Sequence, residues 1–491
     1  MNDETPGEGA RAAVAPRPPV RPGCKKSRRG RAAGAALGIL LALLPAGRAA
    51  AQRANSVYGT GAPIYQDNLD AAVGGLTSAL DALEQAGWLL RGSLTSVVQV
   101  SPGFHARING PNSFRPGPAT ADTEELDLVL GRRLWKGAEL IVIPSLLRGH
   151  GLSNALGVAQ YTNGLAASRD RVWDAYVSHA FIRQTIDLSY DAFGGDSDPT
   201  RFAGPLAAER ITLTAGRVSV LDFFDTNRYA VDPGSQFLNG GLFASAAFPS
   251  AADPRGGTNG VVAEYENRRW ALRLGAFQVS RDIAAGSLDP QPLKHQQVVA
   301  EADRFWWAGQ RPGAVRLVGG LTRFSTRRWD ELTRALLDEA PEPAARARSQ
   351  PMAAANAEQA VTDAVGIFAR TAWNGAQVRN WMFTEADWSA SAGLSIAGNA
   401  WGRFDDMLGL GAGIAGLSPG HRRYLAAGGT GSVLGDGALQ YRPEKVLEAY
   451  YAVQVAPGAA LTVDYQLIAA PGHNAARGPA SVFSLRTNLS F

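Results

Sequence analysis

Residues 481–491 alternate without a break: Phe483, Leu485, Thr487, Leu489 and Phe491 share one face, and Val482, Ser484, Arg486, Asn488 and Ser490 share the other. Period-two alternation belongs to a β-strand with one apolar and one polar environment. It recurs at 459–468, where Leu461, Val463, Tyr465 and Leu467 oppose Thr462, Asp464 and Gln466. At 124–133, Leu126, Leu128 and Leu130 alternate with Glu125, Asp127, Val129 and Arg133. At 261–266, Val261, Ala263 and Tyr265 oppose Val262, Glu264 and Glu266. A soluble sandwich alternates too, so the loops have to separate the two cases.

Short connections are read at 135–137, 267–269, 373–375, 398–402 and 456–458, and long ones at 102–122, 150–170, 221–257, 326–361 and 416–444. Short turns at one end and long loops at the other are the arrangement of an outer-membrane barrel. Strict alternation requires 364–396 to be split into three strands with a hairpin at Asn374 and Gly375. The count is then about sixteen, an even number that leaves both chain ends on the periplasmic side. The 187–208 connection is long where a short turn belongs and is read as an insertion rich in Gly, Asp and Pro. The expected fold is all-β: a closed antiparallel transmembrane β-barrel of about sixteen strands over residues 87–491, with a short N-terminal helix.

That helix is predicted over 67–86, where Leu69, Val73, Leu76, Leu80 and Leu83 recur at helical spacing, within an N-terminal periplasmic segment, 52–86. Residues 1–51 carry two Lys and seven Arg against Asp3, Glu4 and Glu8, a balance of +6 within a total of +4. The remainder is therefore slightly acidic, which removes the argument from basicity for a nucleic-acid partner. Basic residues 25–31, the apolar run 32–46 and the small residues 49–51 follow the order of a signal peptide cut near Ala51 and Gln52. Cys24 lies upstream of that cut, so no disulfide is expected in the mature chain. The expected location is the outer membrane of a Gram-negative bacterium. The partners are membrane lipid and the barrel-assembly machinery, engaged through the strand ending in Phe491.

If the apolar faces meet lipid, the polar faces line a wet lumen whose work is selection by width, hydrogen bonding and fixed charge. Segment 216–239 leaves a strand and carries Asp222, Asp225, Arg228 and Tyr229 among other aromatic residues in a Gly/Pro-punctuated loop. It reads as an infolded constriction. Glu264, Glu266, Glu301 and Asp303, on period-two strands opposite Arg273 and Arg486, read as lumen-lining charges. Trp270, Trp306, Trp307, Trp381, Trp388 and Trp401 read as an interfacial girdle.

The stretches LTAGRVSVLDFFDTNRYAVDPGSQFLN (213–239), IFARTAWN (367–374), GRFDDMLGLGAGIAGLSP (402–419) and EAYYAVQVAPGAALTVDYQLIAAPG (448–472) occur in that order. In these the chain resembles the carbohydrate-selective outer-membrane porins of the OprB type. The resemblance implies passive, selective diffusion of monosaccharides such as glucose, with charged residues at the eyelet and no cofactor. The 187–208 insertion and the Ala/Pro/Arg-rich stretch 339–357 depart from the family pattern.

The residues also allow a general diffusion porin without a sugar site, an outer-membrane lipase or a secreted lectin; sugar preference and oligomeric state stay open. Gly411, Gly413 and Gly416 match a dinucleotide fingerprint, and Gly416, Ser418 and Gly420 beside His421 match a nucleophile elbow. Pro419 and Gly420 are read as forbidding the helix both motifs need. The six His lack metal-ligand spacing. Asp191, Asp196 and Asp198 read as a solvated turn. No enzyme activity is expected.

Overall fold

The computed structural model describes residues 70–165, 172–195, 200–281, 287–380 and 385–490. The expected signal peptide and cleavage site, Asp196, Asp198, Trp381 and Phe491 lie outside them. The first half of the sheet comprises β1 (Trp88–Ser101), β2 (Ala119–Trp135), β3 (Ala138–Gly149), β4 (Asp174–Asp187), β5 (Ala192–Gly195), β6 (Gly204–Ala207), β7 (Arg210–Val218), β8 (Thr258–Glu266) and β9 (Trp270–Gln278). The second half comprises β10 (Gln296–Ala308), β11 (Arg311–Thr326), β12 (Arg346–Ala360), β13 (Val365–Asn374), β14 (Trp388–Ala397), β15 (Met407–Gly416), β16 (Glu444–Ala456), β17 (Ala459–Ala469) and β18 (Ala480–Ser490). Among the described residues four α-helices accompany them: α1 (Asp70–Gln85), α2 (Gly240–Phe243), α3 (Trp329–Leu337) and α4 (Pro419–Ala426).

Sixteen strands close into one antiparallel barrel, with β1 paired to β18, while β5 and β6 form a separate hairpin. The alternation sets the two faces. Phe483 and Leu485 are half-exposed outward, whereas Val482, Ser484 and Arg486 are buried inward. Leu461 and Val463 face out against Thr462, Asp464 and Gln466 in the same way. Trp88, Trp135, Trp270, Trp307 and Trp401 are exposed at the end with the tight turns, and Trp373 at the other, which gives the outer face two aromatic borders.

The strand count was expected, but two of the assignments behind it are corrected. The stretch 326–361 holds α3 and β12, and 364–396 holds only β13 and β14. Asn374 ends β13 and opens the connection 375–387, so there is no hairpin at Asn374 and Gly375. β12 escapes a sequence reading because its outward residues are Pro351, Ala353, Ala355 and Ala357, too small to mark a lipid face. Its inward Gln350, Asn356 and Glu358 are buried.

The proline argument also fails, since Pro419 opens α4; the first helical position has no intrahelical partner to lose. The Ser418 hydroxyl is nevertheless occupied. It caps α4 by accepting from the His421 amide at 3.3 Å and donates to the Ala376 carbonyl at 3.1 Å. His421 stacks on Trp329, with ring centroids 3.9 Å apart, and its Nδ1 lies 3.3 Å from Asp387 Oδ2. These groups knit α3, α4 and the loop 375–387 into an external dome.

His473, in the external connection 470–479, is fully buried and its Nδ1 accepts from the Glu444 amide at 3.1 Å. Burial, with the nearby charge of His421, takes its pKa from 6.5 down to about 3. An imidazole kept neutral in the fold but protonated on release stabilises the dome above pH 6.5, and this contribution is lost as pH falls from there toward 3. Amide protection factors in 417–443 and 470–479, taken against the intrinsic exchange rate at each pH, are therefore expected to fall near pH 4 before those of the barrel strands. Equal protection at pH 7 and 4 would contradict this.

Candidate functional site

The long connection 219–257 turns into the lumen and is held by inward-facing polar side chains of seven strands. Its Asp225 and Arg228 amides donate to Glu301 on β10 at 2.8 Å and Glu358 on β12 at 2.7 Å. Arg370 on β13 donates to the carbonyls of Leu242, Asp225 and Ala230 and lies 3.3 Å from Asp225 Oδ1. Arg486 on β18 donates to the Pro233 and Gln236 carbonyls at 2.8 and 2.7 Å. Glu448 on β16 accepts from the Leu238 and Asn239 amides, and Gln466 on β17 from Asn239 Nδ2. Ser389 on β14 accepts from the Ala247 amide. Phe224, Phe237, Leu238 and Leu242 fill the space between loop and wall. At Gly366 the wall has no side chain, and a Cβ there would sit 2.0 Å from the Tyr229 ring.

The charges beneath the loop alternate in sign from strand to strand: Arg210 on β7, Glu266 on β8, Arg273 on β9, Glu301 and Asp303 on β10, Arg316 on β11 and Glu358 on β12. Arg273 alone meets Glu264 at 3.0 Å, Glu266 at 3.3 Å, Glu301 at 2.8 Å and Asp303 at 2.5 Å. Arg210 pairs with Glu266, and Arg316 approaches Asp303 and Glu358. Buried charges survive only when paired and hydrogen-bonded, and this network supplies both.

Of the residues singled out from sequence, Glu301, Arg486 and Asp225 join the loop to the wall. Glu264, Glu266, Arg273, Glu301 and Asp303 do converge, but in one ion-pair network in which all except the part-buried Glu264 are buried. Asp225 and Arg486 are likewise buried, so they hold the constriction in place without facing its opening. Asp222 is exposed, and Arg228 and Tyr229 are half-buried on the loop.

Against β2 to β4 the inward side chains are less fully buried: Glu125, Asp127, Tyr176, Ser178 and His179 all keep partial exposure. On β2, Asp127 accepts from the Ser145 hydroxyl on β3, whose Oγ lies 2.9 Å from Ser178 Oγ. His179 on β4 continues this chain, with Nδ1 3.1 Å from Ser178 Oγ and Nε2 3.0 Å from Asp222 Oδ2 on the loop. Glu125 lies beside Asp127, with the Tyr176 hydroxyl 3.5 Å away. Asp232, on the loop, interacts electrostatically with both Glu125 and Arg486. The Asp232 carboxylate also accepts from the Gly234 amide and the Ser235 hydroxyl. Asn488 on β18 donates to Thr95 on β1 at 2.8 Å and closes that edge. Thr162 and Asn163, from the connection between β3 and β4, bond Gln99 and Thr123 on the external side. Among these residues Asp232, Tyr176 and His179 carried no period or motif that separated them from their neighbours. Glu125 and Asp127 were visible as polar-face residues only. Among the described residues no group of three or more His, Cys, Asp or Glu is placed to hold a metal ion.

The model of the family described as carbohydrate-selective porin, OprB family, matches residues 112–491. Among solved structures, the high-pH structure of Pseudomonas putida OprB is 16% identical, with 85% of this chain and 97% of that chain covered at a TM-score of 0.64. The low-pH structure of the same protein is 14% identical, covering 86% and 97% at 0.46. The outer-membrane channel DcaP of Acinetobacter baumannii is 9% identical, covering 83% and 98% at 0.48. At 16% identity the first likeness is one of fold. No curated protein matches the chain.

Proposed function

Because the chain belongs to the carbohydrate-selective porins of the OprB family and is an outer-membrane porin, we propose that monosaccharides such as glucose cross it passively between the 222–236 segment and the wall of β1 to β4. The observation that carries this reading is a part-exposed cluster of acidic side chains, Asp222 and Asp232 on the loop and Glu125 and Asp127 on the wall, with the Tyr176 hydroxyl among them. Carboxylate oxygens accept from sugar hydroxyls as they do from water, so a solute exchanges one set of hydrogen bonds for another while the gap limits its width. Such a channel selects without bond-making, and a neutral polyol avoids the desolvation an anion would meet here.

Single-channel conductance in a planar bilayer with rising glucose tests the reading. Closure of the steps by glucose at millimolar concentration is the expected result. Steps indifferent to glucose would leave a general diffusion porin in its place.

A further inference from the structure

The connection between β4 and β7, residues 188–209, is at the periplasmic end, where the turns between β2 and β3, β10 and β11, and β16 and β17 each span two residues. Its segment 200–203 is fastened beneath β1 to β4. Arg183 on β4 donates to the Thr200 carbonyl at 2.9 Å, and Arg133 on β2 to the Ala203 carbonyl at 2.8 Å. The Arg133 guanidinium also lies over the Phe202 ring, 4.7 Å from its centre. On the other side Glu84, in the last turn of α1, accepts from the Ala203 amide at 2.5 Å and pairs with Arg91 of β1 at 3.0 Å.

Phe202 itself is buried in an apolar cluster with Leu89, Val129, Ile141 and Phe181. Strand register places Leu89, Ile141 and Phe181 in one inward row, since Leu89 and Ile141 both pair with Gly131 and Ile141 pairs with Phe181. Asp127 is four residues along β2 from Gly131, so this row lies ~13 Å toward the periplasm from the acidic gap. Layered along the same wall are therefore an acidic level, an apolar level capped by Phe202, and a charged level of Arg133, Glu139 and Arg183. A solute passing along β1 to β4 meets Phe202 after the gap.

We propose that residues 200–203, latched by Arg133, Arg183 and Glu84, form a second constriction at the periplasmic mouth, in series with the acidic gap. The proposal rests on the path assigned above. Phe202 supplies a hydrophobic stop, which resists ions and polar solutes by excluding water, and the latch gives it a fixed position.

Conductance of Phe202→Ala and of Arg133→Ala, in the full-length protein in planar bilayers, tests it. Two comparable resistances in series predict about a twofold rise in the open step when one is removed, together with faster entry of disaccharides in liposome swelling. Arg133 is solvent-exposed, so its variant keeps the test open if the Phe202 variant folds poorly. Steps and disaccharide entry equal to those of the parent, in a barrel with normal heat-modifiable mobility, would overturn the second constriction. Glucose block is read separately on the parent, so loss of the sugar path and loss of the periplasmic constriction give different results.

Discussion

Arg370→Ala is expected to free the infolded loop and turn a narrow channel into a wide one. The guanidinium is bonded to three loop carbonyls and to Asp225, at full burial. Its loss leaves those acceptors and a buried carboxylate without their cation, a penalty of about 3–5 kcal/mol. The barrel's own backbone ladder does not depend on the contact, so the loop yields first. Single-channel conductance should rise several-fold and glucose should no longer close the step. Arg370→Lys should fall between the two, because an ammonium restores the charge but not the planar fork. A parent-like conductance in Arg370→Ala would show that the loop is held in place without this residue.

Neutralising the gap should have the second-largest effect. Glu125→Gln, Asp127→Asn and Asp232→Asn together retain size and most hydrogen bonding while removing the acidic groups, and the negative charge they share, from the proposed passage. A narrow opening with low-dielectric walls concentrates counter-ions, so the parent is expected to prefer cations, and the triple variant should lower the cation-to-anion permeability ratio by roughly tenfold. Reversal potentials in a salt gradient report this ratio. An unchanged reversal potential would move the selective charge away from the β2 wall. The buried network of Arg273 predicts a contrast, because Arg273→Ala removes the cation shared by Glu264, Glu266, Glu301 and Asp303, leaving only Arg210 and Arg316 to balance them, and should lower thermal stability ahead of any change in selectivity.

β12 carries almost no legible alternation. The even strand count was legible from turn spacing, yet one strand was found in the wrong place, because alanines at 353, 355 and 357 carry too little hydrophobic contrast for a period to show. The infolding of 219–257 was legible from its length and aromatic content. Its anchors were legible only as charges on the polar face, since alternation assigns a side chain to the lumen without saying whether another chain segment covers it.

Local sequence determined the strand faces, the membrane-facing surface, the sixteen-strand closure and the presence of a constriction, because each follows from spacing along one stretch of chain or from the parity of turns. Which charges meet a solute was decided by tertiary structure. Glu301 and Glu125 are both carboxylates on inward strand faces, and the path of the 219–257 loop separates them: it crosses the β10 wall, where it takes Glu301 as a backbone acceptor, and leaves Glu125 on the β2 wall part-exposed beside the Tyr176 hydroxyl. That path is set by hydrogen bonds between residues as far apart as Leu238 and Glu448, and no local pattern carries that pairing.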